Sequence, residues 1–114
     1  MKYRFALTIF LALTSAQALA HSEKESTTPA NGAVVEDVPE TIGLRFTDGM
    51  RLTKVEMIYA SSAPKTLEVS SQSGFLKEFS LPLISMGTGI YQIDWRGLGI
   101  DGHPMNGTFS FEVK

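Results

Sequence analysis

Two histidines, a carboxylate two residues before one of them, and a complete lack of cysteine limit the chemistry open to this chain once a basic, apolar leader is set aside. His103 sits in the run Ile100-Asp101-Gly102-His103-Pro104, and His21 follows the leader directly. A chain without thiols cannot build zinc-ribbon, iron–sulfur or blue-copper centres, each of which requires cysteine. Each histidine alone has an ordinary explanation. Asp-Gly before His-Pro is good turn sequence, with Asp101 capping and Gly102 supplying positive φ. A histidine after a leader can be an accident of the cleavage site.

The leader changes the meaning of His21. Lys2 and Arg4 give a short positive start, Phe5 to Leu13 is almost unbroken apolar sequence, and Ala18-Leu19-Ala20 puts small residues where a signal peptidase reads. The apolar stretch is shorter than the roughly 20 residues that cross a bilayer. Residues 1–20 are therefore expected to be a secretory signal peptide cleaved after Ala20, leaving one domain over residues 21–114. Cleavage would give His21 a free α-amine.

An amino-terminal histidine can hold a metal through its amine and its ring together. A second imidazole, from His103, makes three nitrogens in a T shape, an arrangement that suits copper(II) and its preference for tetragonal nitrogen and oxygen ligands. Asp101, two residues from His103, could ligate directly or orient the imidazole as a hydrogen-bond acceptor. The amine, with a reference pKa of about 7.7–8.0, must lose its proton to bind. The alternative amino-terminal copper and nickel motif needs histidine at the third mature position, where Glu23 stands. Copper(I) would call for clustered thioethers. Met50, Met57, Met86 and Met105 are dispersed in sequence and read as core or gap-filling side chains.

These residues must be positioned by short strands. Ile42, Leu44 and Phe46 alternate with Gly43 and Arg45, Val55, Met57 and Tyr59 with Glu56 and Ile58, Tyr91, Ile93 and Trp95 with Gln92 and Asp94, and Phe109, Phe111 and Val113 with Ser110 and Glu112. Phe75 to Leu81 is a less regular candidate. Turn chemistry separates the segments at Pro29 to Gly32, Asp48-Gly49, Ser61 to Pro64, Ser71 to Gly74, Gly87 to Gly89 and Gly97 to Gly102. Such spacing predicts an all-β sandwich of about seven strands. Without the leader, eight basic residues face twelve acidic ones, a formal charge of −4. That balance offers no electrostatic footprint for nucleic acid. A soluble monomer, not inserted in a membrane after cleavage, is expected.

The histidine after the leader, Thr28-Pro29-Ala30-Asn31-Gly32-Ala33, Leu44-Arg45-Phe46, and Tyr91-x-Ile93-x-Trp95-Arg96 leading to Asp101-Gly102-His103-Pro104-x-x-Gly107-x-Phe109-x-Phe111-x-Val113 together resemble the CopC copper-resistance family. The resemblance implies an immunoglobulin-like, Greek-key β-sandwich in the periplasm, serving copper resistance and homeostasis with an inner-membrane partner of the CopD type. It places copper(II) ligands on His21, Asp101 and His103. The methionine-rich copper(I) loop of some members is missing, which implies a copper(II)-only type. A binding protein rather than an enzyme is expected, since no nucleophile–base pair lies beside these ligands. The terminal-histidine brace also resembles that of lytic polysaccharide monooxygenases, but Tyr91 and Trp95 share an alternating face that reads as core rather than as a polysaccharide platform. A metal-free immunoglobulin-like interaction module would explain the strands and leave the histidines unaccounted for.

Overall fold

The computed structural model describes residues 25–69 and 74–114. Every described element is a strand: β1 (Glu25–Thr28), β2 (Ala33–Val35), β3 (Thr41–Tyr59), β4 (Lys65–Leu67), β5 (Leu76–Pro82), β6 (Gly89–Gly99) and β7 (Pro104–Val113). Among the described residues no helix is long and apolar enough to cross a membrane.

β3 organises the molecule because it belongs to two layers. Its first half pairs antiparallel with β1 and β5, Gly43 lying between Thr28 and Ser80. Its second half pairs with β6 and with β4. β7 pairs antiparallel with β6, and β2 runs parallel to β7 at the far edge. The seven strands thus form one hydrogen-bonded sheet, ordered β1-β3-β6-β7-β2 with β4 and β5 also on β3. The sheet curls until its inner faces meet. Ile42, Leu44, Phe46 and Leu81 from one side enclose a core with Val55, Met57, Tyr91, Ile93, Trp95, Phe109, Phe111 and Val113 from the other. Phe46 meets Trp95 edge to face across the layers, with ring centroids 5.0 Å apart. Such pairs add about 0.5–1.5 kcal/mol beyond the area they bury.

The period-two segments supply this core, as their alternation predicts. One expectation needs correction. Asp48-Gly49 does not end a strand; β3 runs through it without a break. The inward–outward alternation slips there, with Thr47 and Asp48 both exposed, and the β3–β5 register shifts between Arg45 and Met50. A second shift, against β6, falls between Leu52 and Lys54. An irregularity of this kind bends and twists a strand without interrupting it. Turn-forming residues here steer one strand from layer to layer.

The expected turn region from Gly97 to Gly102 also contracts. Gly97 and Gly99 lie within β6, and only Ile100 to His103 lie between β6 and β7. β1, β2 and β4 carried no usable alternation: each is three or four residues long and sits against a longer strand. Residues 71–73 of the expected Ser71–Gly74 turn lie outside the described residues.

Candidate metal site at the β6–β7 hairpin

Asp101 and His103 sit at the tip of the β6–β7 hairpin. The Gly102 N–H donates to the Gly99 carbonyl at 2.9 Å, and the Gly99 N–H donates to the His103 carbonyl at 3.0 Å. Gly102 has φ of +84°. This is the three-residue hairpin loop in which a left-handed residue follows a tight turn, and glycine adopts that conformation without steric cost. The Asp-Gly pair therefore acts as turn chemistry, as the sequence suggested. The Asp101 Oδ1 atom accepts the His103 backbone N–H at 3.1 Å.

The two side chains meet for a reason different from the one expected. An extended segment would place them on one side by alternation. Here the turn folds Asp101 back, so that its Oδ2 lies 2.8 Å from His103 Nδ1. With Nδ1 protonated, the ring donates to the carboxylate and Nε2 carries the lone pair. Both side chains are open to solvent, His103 at 80% and Asp101 at 64%. The His103 side-chain and backbone hydrogen bonds hold the Asp101 carboxyl below its ordinary value of 3.8. An ionised carboxylate fixing one nitrogen of an exposed imidazole is how proteins commonly prepare a histidine for a metal.

His21 lies outside the described residues. Among the described ones, no group of three or more His, Cys, Asp and Glu side chains could hold a metal by itself. β1 begins at Glu25, opposite Phe46. Met50 pairs with Leu76 of β5 and with Gly99 of β6, so those two strands occupy opposite edges of β3. Because β1 also lies opposite β5, β1 and β6 follow one another along a single edge. The amino-terminal end of β1 is therefore directed toward Gly99, where the hairpin loop begins.

Behind the hairpin is a cleft of about 330 Å³, lined by Phe46, Asp48, Met50, Ile100, Asp101 and Met105 among others. Met50 belongs to the core, but Met105, read in the sequence as a gap-filler, is 38% exposed. No sequence spacing marks it, because it joins Asp101 along this cleft only across the turn. Tyr91 and Trp95 are buried, as expected, and cannot form an exposed aromatic platform.

Comparison with known proteins agrees with this architecture. The family model described as the CopC domain matches residues 24–114. The chain is 32% identical to copper resistance protein C of Pseudomonas syringae pv. tomato over 119 residues, covering 95% of this chain and 94% of that protein. It is 31% identical to protein YobA of Escherichia coli (strain K12) over 122 residues, covering 97% and 94%. Among solved structures, CopC from Methylosinus trichosporium OB3b superposes with a TM-score of 0.66 at 21% identity, covering 78% of this chain and 89% of that one. PcoC, a methionine-rich copper resistance protein from Escherichia coli, gives 0.57 at 29% identity, covering 80% and 96%. The chain belongs to the CopC family.

Proposed function

We propose that this protein is a periplasmic copper(II)-binding protein of copper resistance and homeostasis, exported by residues 1–20 and cleaved after Ala20. Copper(II) is its cargo. The His21 amine and ring provide two donors, the His103 ring provides the third, and Asp101 orients that ring or ligates beside it. The protein then sequesters the ion as a monomer or passes it to an inner-membrane partner of the CopD type.

The observation that carries this reading is the shared edge of β3. Residues 21–24 can span at most about 14 Å when extended. Their point of departure, Glu25, lies on the same β3 edge as the strand that ends in the Asp101–His103 loop. An exposed imidazole held by a carboxylate supplies a nitrogen donor for a borderline cation such as copper(II). The relatives named copper resistance protein C support the choice of metal.

Titration with copper(II) of the chain beginning at His21, read by electron paramagnetic resonance, tests the proposal. One equivalent should bind with a tetragonal spectrum and nitrogen hyperfine structure. A chain carrying one extra residue before His21 should bind much more weakly, because its α-amine no longer closes a chelate with the ring. Equal affinity in the two chains would remove His21 from the site.

A further inference from the structure

One methionine escapes the core, and it does so beside the hairpin loop. In β7, Phe109, Phe111 and Val113 face the interior, and by alternation Met105 continues their row toward the hairpin. Its partner across the two strands is Gly97, which has no side chain to cover it. Met105 is 38% exposed, whereas Met50 and Met57 are buried and Met86 packs half-buried against the core. Its sulfur also stands close to the loop's carboxylate. A Cβ on Gly99 would lie 3.1 Å from Met105 Sδ and 3.2 Å from Asp101 Oδ1, so both atoms border the space over that one glycine. Asp101 Oδ1 is the atom that accepts the His103 N–H.

We propose that Met105 is a modification site, oxidised by hydrogen peroxide to the sulfoxide, and that the sulfoxide loosens the Asp101–His103 pair. The sulfur lone pair attacks one peroxide oxygen, the O–O bond breaks and an S–O bond forms. The departing hydroxide takes the proton from the transferred oxygen and leaves as water, so sulfur loses two electrons and peroxide gains them. Access decides which thioether reacts, and of the described methionines Met105 gives the most. The product replaces a soft apolar atom with a polar group whose oxygen only accepts hydrogen bonds. Two acceptors cannot bond to each other, so the new oxygen repels the Asp101 carboxylate and weakens its hold on the His103 N–H and ring. Solvent screens this repulsion, since Asp101 is 64% exposed, and the effect is graded rather than complete. Oxidation and its effect on the loop do not involve the metal; only the consequence for copper(II) rests on the proposed function.

The test treats the metal-free chain beginning at His21 with limiting hydrogen peroxide in the presence of a chelator. Peptide mass spectrometry should find oxygen on Met105 at least about tenfold sooner than on Met50 or Met57, and ahead of Met86. The Asp101, Gly102 and His103 amide signals should move in NMR spectra of the oxidised chain and return after treatment with methionine sulfoxide reductases for both epimers. Met105→Leu, which keeps an apolar side chain without sulfur, should show none of these shifts under the same peroxide. Copper(II) affinity of the oxidised chain should fall roughly three- to tenfold, short of the loss expected for Asp101→Asn. Uptake at Met57 or Met86 as fast as at Met105, loop signals unmoved by oxidation, or equal copper(II) affinity before and after it would overturn the proposal. Loop signals that move in a chain that binds no copper(II) would support it and remove the copper(II) reading instead.

Discussion

The interior of the sandwich and the tip of the β6–β7 hairpin are built from the same two strands, yet they answer to different physics. Inside, Trp95 packs against Phe46 and over Gly107, where an added Cβ would lie 2.6 Å from the indole Nε1. No spare volume exists there. A few residues along, Asp101 and His103 stand in solvent, held by hydrogen bonds and one left-handed glycine. The interior supplies folding energy, and the tip supplies donors. Such a division lets exposed side chains of the hairpin loop change with little effect on stability, provided that the strands beneath it stay in register.

The contrast can be broken most forcefully from the inside. Trp95→Ala should cost about 3–5 kcal/mol in urea unfolding, because it removes the largest ring of the core and leaves a cavity. Gly107→Val should cost about 1–3 kcal/mol by overpacking against the same ring. If either variant unfolded like the parent, the inner faces would not be packed as described.

Changes at the tip should have the opposite profile. His103→Ala should abolish tight copper(II) binding while leaving metal-free stability within about 0.5 kcal/mol, as expected for an exposed side chain. Asp101→Asn should lower copper(II) affinity roughly 10–100-fold if the carboxylate chiefly orients the ring. A larger loss in the same titration would mark Asp101 as a direct ligand. Gly102→Ala should lower stability by about 1 kcal/mol, since φ of +84° strains any residue with a Cβ.

The smallest expected effect concerns pH. The Asp101 pKa is lowered in the folded protein, chiefly by the His103 hydrogen bond. Its contribution is therefore present above the ordinary carboxylate range and is lost as pH falls through the lowered folded value. Metal-free Asp101→Asn should show a slightly flatter acid limb of stability than the parent. The exposed Arg45–Glu78 pair, 2.6 Å apart across β3 and β5, should contribute no more than about 1 kcal/mol, and a double-mutant cycle measures it.

The sandwich was legible because one buried face and one wet face impose period-two alternation on any strand long enough to show it. Tyr91, Ile93 and Trp95, and Phe109, Phe111 and Val113, are buried as that rule requires. The short strands were not legible, since Glu25–Thr28 and Lys65–Leu67 are held by pairing with β3 more than by any pattern of their own. Asp48-Gly49 misled for a related reason. Local turn chemistry was overridden by pairing on both sides of β3, and what remained was a bend.

For the candidate site, residue chemistry by itself singled out His21, Asp101 and His103 and recognised Asp-Gly as a turn. Residue types and turn propensities are local properties, and they survive in a linear string. Only the tertiary structure decided that Asp101 meets His103 through the turn, that β1 and β6 share one edge of β3, and that Met105 opens beside the loop. Those facts depend on strand register and on which elements become neighbours. The whole sheet sets them at once, and no short stretch of residues encodes them.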